Sequence, residues 1–235
     1  MMTTVLFDLD GTLTDSKEGI FKSLEFCMNF YDYTIPPVDI LQLFLGPPIV
    51  ESLQVYCGLS EDEARVTYKK FQERYGTIGK FENKVYDGII PLLDKLKREG
   101  YTLGVATAKP EVFAREILDH FFLTPYFDVI VGADSNTGLI HKEQILEKVL
   151  ASCKSITSVN SHESHMGKIY MVGDRKYDVE AANLHGCVSV GVTYGYGSEE
   201  EIRSANAEYI CDTPEDIGDI LDIERLLASK EINIR

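Results

Sequence analysis

The sequence lacks an excess of positive charge. Its 235 residues include 23 lysines and arginines against 38 aspartates and glutamates, which gives a formal net charge of −15. Nucleic acids and anionic membrane surfaces would repel such a chain, so we expect neither as a partner. A bound metal ion and a lysine can still reverse the sign of the potential locally and admit a small anion.

The sequence also lacks the cysteine spacing of a disulfide framework or a zinc site. Its five cysteines are scattered, odd in number and form no CxxC pair. This distribution favours reduced, mostly buried thiols and predicts a cytoplasmic protein. The residues concerned are Cys27, Cys57, Cys153, Cys187 and Cys211.

Long apolar runs are absent as well, since no run approaches the roughly 20 residues that a membrane helix needs. The first predicted strand begins within a few residues of Met1, so we expect no signal peptide. We find neither an internal repeat nor a low-complexity segment. A chain of 235 residues is expected to form one large domain, or one domain with an insertion, and to be a monomer or a weak homodimer.

What the sequence does contain is a short apolar run, Val5-Leu6-Phe7, that ends in two carboxylates. The run has no polar alternation and therefore predicts a strand buried in a parallel sheet. Alternation along the strand places Asp8 and Asp10 on the same side, where their charges repel each other. Mg²⁺ would relieve that repulsion, because it prefers hard oxygen ligands.

After this stretch, residues 16–83 show only helical patterns. Asp15 and Ser16 are expected to cap the first helix, and Ser60 with Glu63 forms a capping box that opens the last one. A loop with a fixed backbone, Gly46-Pro47-Pro48 with the preceding leucine, separates two of the helices. The apolar spacing predicts helices over 16–33, 38–44, 49–56 and 60–75.

From residue 84 onward, strand and helix patterns alternate. The patterns predict strands at 102–106, 127–131, 169–172, 188–192 and 208–211, and helices at 88–99, 110–121, 142–153, 177–185 and 214–229. Ser198 and Glu201 form a second capping box. We interpret the polar segment 155–167 as an exposed loop, so that His162 and His165 are solvated rather than metal ligands.

This alternation predicts an α/β fold, a Rossmann-like doubly wound parallel sheet with helices on both faces. Residues 1–15 and 84–235 would form this core domain, and residues 16–83 would form an inserted α-helical domain.

Polar groups stand at the ends of several predicted strands. Thr107 follows one strand, Lys142 opens the helix after another, and Asp174 and Asp178 follow a third. Each is weak evidence alone, because such residues are common at turns and helix starts. In a parallel sheet these ends share one edge, so the groups can converge on Asp8.

The ordered set of motifs resembles the four-motif signature of the haloacid dehalogenase superfamily of phosphatases. The set spans nearly the whole chain and consists of Asp8-x-Asp10-Gly11-Thr12, Thr107, Lys142, and Gly173-Asp174 with Asp178. The helical segment is similar to the mobile α-helical cap of that superfamily. Residues 12–16, 45–48 and 173–178 look most like phosphoglycolate-phosphatase-type and 5′-nucleotidase-type members.

The resemblance implies a Mg²⁺-dependent phosphatase that acts on a small phosphorylated metabolite, such as phosphoglycolate or a nucleoside 5′-monophosphate. Asp8 would be the nucleophile that forms an aspartyl-phosphate, and Asp10 would act first as the acid and then as the base. Mg²⁺ would be bound by Asp8, the backbone carbonyl of Asp10 and Asp174. Asp178 would support the ion directly or through water.

The resemblance also implies how a substrate would be bound. The groups expected to bind the phosphoryl oxygens belong to Gly11, Thr107, Ala108 and Lys142. The cap residues expected to close over the phosphate and touch the rest of the substrate are Gly19, Phe21, Gly46, Pro47 and Pro48. The alternative that the 46–48 loop only breaks a helix stays open.

Two other functions stay open. A sugar-phosphate mutase of the same superfamily retains both aspartates, but Thr12, residues 14–16 and the 46–48 loop favour a hydrolase. A non-catalytic binding module on the same fold belongs to another functional class, and the presence of every motif residue disfavours it. A dehalogenase or a phosphonate-cleaving enzyme is disfavoured, because those branches do not use an aspartate where Asp10 stands.

Overall fold

The computed structural model describes residues 2–160 and 166–232 and contains a parallel sheet covered by helices. The strands are β1 (Met2–Phe7), β2 (Thr14–Asp15), β3 (Lys84–Val85), β4 (Thr102–Pro110), β5 (Val129–Ala133), β6 (Met166–Gly173), β7 (Val188–Val192) and β8 (Tyr209–Cys211). The α-helices are α1 (Lys17–Phe30), α2 (Val38–Gln42), α3 (Ile49–Cys57), α4 (Glu61–Tyr75), α5 (Ile89–Arg98), α6 (Glu111–His120), α7 (Lys142–Asn160), α8 (Lys176–Leu184), α9 (Glu199–Ser204) and α10 (Pro214–Ile232).

β1 lies in the middle of the six-stranded sheet, whose order is β5-β4-β1-β6-β7-β8 with every neighbouring pair parallel. Val5, Leu6 and Phe7 are fully buried because both faces of the sheet are covered. Val5 and Phe7 belong to one hydrophobic cluster and Leu6 belongs to another, as the alternation of side chains requires. The predicted α/β class with a parallel sheet is confirmed.

A two-stranded antiparallel ribbon joins the two ends of the helical segment. In this ribbon β2 pairs with β3 through Thr14 with Val85 and Asp15 with Lys84. The sequence analysis did not predict it, because strands of two residues are too short to show a period. The ribbon brings the two connections to the helical segment side by side.

The segment 16–83, called the cap from here on, contains α1–α4 and a short 3₁₀ turn, Gly79–Phe81. No strand lies within it, as predicted, and all of its residues are described. The cap has its own hydrophobic cluster, in which Leu24, Cys27 and Leu53 are fully buried. The division of the chain into domains at residues 16 and 83 stays a prediction.

The predicted loop at 155–167 is wrong at both described ends, because α7 continues to Asn160 and β6 begins at Met166. The prediction rested on polarity, which by itself does not distinguish a helix from a loop. His162 and His165 lie outside the described residues.

The predicted helix caps are confirmed in part. Ser60 and Glu63 form the reciprocal capping box. Ser198 accepts from the backbone N–H of Glu201 at 3.1 Å, but the Glu201 carboxylate binds Arg175 instead of completing the box. At the start of α1, Asp15 and Ser16 behave differently: Asp15 accepts from the N–H of Lys17, whereas the Ser16 side chain makes no capping bond.

None of the five cysteines, all within the described residues, forms a disulfide, and all except Cys57 are buried. In the described part of the chain no helix combines the length and apolar character needed to cross a bilayer.

Gly19 of α1 gives a first testable prediction. A Cβ on Gly19 would lie 1.8 Å from the carbonyl oxygen of Gly79, so Gly19→Ala must push α1 away from the 79–81 turn. We expect this overpacking to lower the free energy of unfolding by about 1–3 kcal/mol. Denaturant titration followed by circular dichroism measures the change.

Gly218→Ala is the matched control, because Gly218 is also a helical glycine. A Cβ there would have as its nearest neighbour the flexible end of Lys95, at 3.1 Å. Alanine should raise the free energy of unfolding at this site by up to about 1 kcal/mol through its better helix propensity. Equal effects of the two substitutions would contradict the close packing of Gly19.

Candidate active site

Polar side chains from four segments meet at the carboxyl edge of the sheet. Asp8 directly follows β1, Thr107 lies in β4, Lys142 begins α7 and Asp174 directly follows β6. All four residues are buried. Because β4 and β6 flank β1 in parallel register, their carboxyl ends lie side by side. The sheet therefore places these residues at one edge, as the sequence predicted.

The ammonium group of Lys142 links two carboxylates. Its Nζ lies 2.9 Å from Asp8 Oδ1 and 2.7 Å from Asp178 Oδ1, and it donates to the carbonyl oxygen of Ala106 at 3.0 Å. Burial lowers the pKa of Lys142, but the two carboxylates raise it by more, so the pKa lies above its usual value. Lys142 therefore stays positively charged at neutral pH.

Asp8, Asp174 and Asp178 form a buried acidic cluster, in which one oxygen of each carboxylate lies within 4.8 Å of the others. Burial, together with the charges of Asp178 and Asp8, raises the pKa of Asp174 to about 8. Burial also raises the pKa of Asp178, although Lys142 opposes this shift. Lys142 pairs with Asp8 and Asp178 but not with Asp174, so its single positive charge leaves the cluster with an excess of negative charge.

Glycines allow the backbone to approach this cluster. A Cβ on Gly11, whose φ is +82°, would lie 2.2 Å from Asp174 Oδ2. A Cβ on Gly173 would lie 2.1 Å from the carboxylate carbon of Asp178. Such close approach requires positions without a side chain, and the positive φ of Gly11 also favours glycine.

The donor set of the cluster fits Mg²⁺. This ion prefers carboxylate and carbonyl oxygens. Burial and then repulsion from Asp178 and Asp8 raise the pKa of Asp174, and a dication would offset the repulsion. Asp174 is fixed by the Thr12 hydroxyl, 3.3 Å from Oδ1, and by the backbone N–H of Tyr196, 2.7 Å from Oδ2. The three carboxylates could therefore hold the ion. The part expected of the Asp10 carbonyl stays a prediction.

The carboxylate of Asp10 binds a residue to which the sequence analysis gave no role. Asp10 Oδ2 lies 2.6 Å from Lys109 Nζ, which also donates to the hydroxyl of Tyr75 in the cap. Burial lowers the pKa of Lys109, but Asp10 and Tyr75 raise it by more. The available signal was the position of Lys109, two residues after Thr107 in the same strand-end motif.

Two further residues that the sequence analysis did not assign connect this edge of the sheet to the cap. Tyr196 follows β7, and its hydroxyl accepts from the N–H of Ser16 at 2.8 Å and donates to Asp15 Oδ1 at 3.1 Å. Arg175 directly follows Asp174 and donates from Nη1 to the carbonyl oxygen of Leu45. Both contacts join residues that are far apart in the sequence, so no local sequence pattern predicts them.

The predicted cap loop lies at the boundary with the core. A Cβ on Gly46, whose φ is +111°, would lie 2.9 Å from Nη1 of Arg175. Pro47 and Pro48 are half-buried, and Pro48 stands at the start of α3. This placement is compatible with the expected contact between the loop and a substrate, which stays a prediction.

Gly19 and Phe21 occupy different surroundings within the cap. Gly19 is buried against the backbone of Gly79, which gives it a packing role. Phe21 is half-buried, and Nζ of Lys17 lies 5.5 Å from the centre of its ring. Contact of either residue with a substrate stays a prediction.

Comparison with known proteins identifies similar chains. The family model described as haloacid dehalogenase-like hydrolase matches residues 5–192. A 5′-nucleotidase from Pseudomonas aeruginosa is 37% identical over 88% of this chain and 90% of that protein. The tyrosine-protein kinase PtkA from Mycobacterium tuberculosis is 38% identical over 88% of this chain and 67% of that protein.

A phosphoglycolate phosphatase from Vibrio parahaemolyticus is 26% identical over 93% of this chain and 96% of that protein. Among solved structures, a predicted phosphatase from Clostridium acetobutylicum superposes with a TM-score of 0.82 at 41% identity. The superposition covers 94% of this chain and 99% of that one.

The raised pKa of Asp174 gives a second testable prediction. We expect Asp174→Asn to stabilise the metal-free protein at pH 8 and to remove stabilisation by Mg²⁺. A carboxyl whose pKa rises from 3.8 to about 8 on folding binds more protons in the folded state, so its contribution to stability falls as the pH rises from about 4 to about 8. The uncharged amide avoids this loss.

Thermal unfolding in EDTA and in magnesium chloride measures both effects. In EDTA the Tm of the variant should exceed that of the wild type by about 2 °C or more. Asp219→Asn on the exposed face of α10 is the control and should leave both Tm values nearly unchanged. A lower Tm for Asp174→Asn in EDTA, or an undiminished response to Mg²⁺, would contradict the assignment.

Proposed function

The chain belongs to the haloacid dehalogenase-like hydrolase family and is a phosphatase of that family, and we propose that it hydrolyses a small organic phosphate monoester with Mg²⁺ through an aspartyl-phosphate at Asp8. One observation carries this proposal: the Asp8 carboxylate lies beside the Lys142 ammonium inside the buried acidic cluster. This arrangement supports the proposal, because a carboxylate suited to attack phosphorus lies beside an ammonium group suited to bind phosphate and beside oxygens suited to bind a metal.

Asp8 is suited to attack phosphorus. Its Oδ1 accepts from the N–H of Leu9 at 2.7 Å and lies 2.9 Å from Lys142 Nζ, which fixes the orientation of the carboxylate. In the first step a carboxylate oxygen of Asp8 bonds to phosphorus, the bond to the ester oxygen breaks, and Asp10 gives its proton to the departing oxygen. In the second step a water gives a proton to Asp10 and attacks phosphorus, and the bond to Asp8 breaks.

A bound Mg²⁺ would supply positive charge that lets the anionic carboxylate and the anionic phosphate approach each other. The Thr107 hydroxyl and the Lys142 ammonium are proposed to bind phosphoryl oxygens. Gly11 donates its N–H to the carbonyl oxygen of Thr14 at 2.8 Å, so a phosphoryl contact at Gly11 would have to share that donor. The N–H of Ala108, next to Thr107, is the other proposed backbone donor.

The cap is proposed to recognise the part of the substrate beyond the phosphoryl group. Relatives named 5′-nucleotidase and phosphoglycolate phosphatase make a nucleoside 5′-monophosphate and phosphoglycolate the first candidates. The 45–48 loop is the proposed contact, because Arg175 ties it to the edge of the sheet that carries Asp8. A panel of phosphorylated metabolites ranked by kcat/KM tests this proposal.

The relative named as a tyrosine-protein kinase favours a second candidate function, transfer of the phosphoryl group to a hydroxyl acceptor. The two functions differ in what takes the group from Asp8: water in a phosphatase, a hydroxyl in a transferase. Reaction in ¹⁸O-labelled water separates them, since hydrolysis of the aspartyl-phosphate puts the label into inorganic phosphate.

Asp8→Asn should abolish turnover while the fold survives. The amide keeps the shape of the side chain but is not a nucleophile, so we expect kcat for p-nitrophenyl phosphate to fall by roughly 10³-fold or more. Hydrolysis is measured with magnesium chloride and with EDTA, with Asp219→Asn as the control that keeps wild-type activity. Phosphate label trapped on another residue, or activity indifferent to EDTA, would rule out the corresponding part of the mechanism.

Asp10→Asn should affect esters according to their leaving group. An alkoxide needs a proton as it departs, whereas p-nitrophenolate leaves without one. We therefore expect kcat for alkyl phosphates to fall by about 10²-fold or more. With p-nitrophenyl phosphate, the rate of the step that forms the aspartyl-phosphate should fall much less. Burst kinetics isolate that step, and an equal loss for both esters would argue against an acid role.

A further inference from the structure

Lys109 lies at the end of β4 with its ammonium group turned away from water. Its side chain is only 5% exposed, and its Nζ lies 2.6 Å from Asp10 Oδ2. Burying an ammonium group is costly unless a counter-charge and hydrogen-bond acceptors compensate for the lost water. Asp10 and Tyr75 supply that compensation, so the position of Lys109 is fixed by these two partners.

The Asp10 carboxylate is bound through one oxygen only. Its Oδ2 pairs with Lys109, whereas its Oδ1 is buried and has no hydrogen-bond partner. A buried carboxylate oxygen without a partner is unusual, because the missing hydrogen bond costs free energy. This asymmetry is what an acid and base needs: one oxygen sets the orientation, and the other exchanges a proton with the substrate.

Tyr75 connects the Lys109–Asp10 pair to the cap through a hydrogen bond. It is the last residue of α4, is 2% exposed, and its hydroxyl accepts from Lys109 Nζ. The ammonium also lies 4.6 Å from the centre of the Tyr75 ring. The ring stacks on Phe71 of the cap and meets Phe113 of α6 edge-on. Tyr75 is therefore fixed within the cap and reaches the core only where cap and core are in contact.

We propose that Lys109 is a positioning residue for Asp10, and that the hydroxyl of Tyr75 makes this positioning depend on contact between cap and core. The proposal rests on the proposed function, because it gives Asp10 the role of acid and base. Movement of the cap away from the sheet would remove the Tyr75 hydroxyl from Lys109 and release one restraint on the Asp10 carboxylate. Proton transfer to the leaving group would then be favoured only with the cap closed.

The experiment compares two esters in Tyr75→Phe, Lys109→Met and the double variant. One ester is p-nitrophenyl phosphate, whose leaving group needs no proton, and the other is the alkyl phosphate hydrolysed fastest in the metabolite panel. Tyr75→Phe keeps the aromatic stack and removes one hydrogen bond to a charged group, so it should lower kcat for the alkyl ester by about tenfold. Its burst rate with p-nitrophenyl phosphate should change less than about twofold.

Lys109→Met should also affect the alkyl ester more than p-nitrophenyl phosphate, and kcat for the alkyl ester should fall further, by about 10²-fold. If Tyr75 acts through Lys109, the double variant should be no worse than Lys109→Met alone. Tyr101→Phe is the matched control: Tyr101 is also a buried tyrosine, but it precedes β4 and lies at the opposite end of that strand from Lys109. Tyr101→Phe should leave the rates with both esters unchanged.

The outcomes separate this inference from the function on which it rests. Equal losses for both esters in Tyr75→Phe, or additive losses in the double variant, would overturn the positioning role while Asp8→Asn still upheld the phosphatase. A wild type that hydrolyses neither ester would overturn the proposed function and this assignment with it. If Lys109→Met fails to fold, the test is the comparison of the two losses of rate in Tyr75→Phe, one for the alkyl ester and one for p-nitrophenyl phosphate.

Discussion

Negative charge buried at the end of a parallel strand is the constraint on which the rest of the structure depends. One oxygen from each of three carboxylates lies within 4.8 Å of the others, and the ammonium of Lys142 offsets only part of the negative charge. Such an arrangement costs free energy that must come from elsewhere in the fold. The burial of apolar residues of β1 and its neighbours on both faces of the sheet provides the stabilising free energy that offsets this cost.

The same edge of the sheet also carries the contacts between core and cap. Lys109 binds Asp10 on one side and Tyr75 on the other, and Arg175 binds the cap at Leu45 immediately after Asp174. Tyr196 binds Asp174 through its backbone N–H and the beginning of the cap through its hydroxyl. Lys109 and Tyr196 thus each have one contact in the site and one in the cap or at its junction. Arg175 does too, because its backbone N–H donates to Asp178 Oδ2 at 3.1 Å. The position of the cap and the arrangement of the polar groups are therefore linked through direct hydrogen bonds.

Much of the fold could be predicted because its signals are local. The apolar run of β1, the helical stripe of α1 and the capping box of Ser60 depend on residues within a few positions of each other. The gathering of Asp8, Lys142 and Asp174 could also be predicted, because parallel strands all end at the same edge. The α7 helix was predicted too short, since a run of polar residues does not by itself distinguish a helix from a loop.

The sequence by itself determined the order along the chain of the six strands of the parallel sheet and of the helices between them, the α/β class and the set of motifs that meet at the carboxyl edge of the sheet. Only the tertiary structure decided which polar group binds which. Glu201 has the spacing for a capping box, yet it pairs with Arg175, 26 residues away. Lys109 pairs with Asp10 and with Tyr75, which is 34 residues away. Partners so distant along the chain leave no periodic signal, because they meet only after the sheet and the cap have packed together.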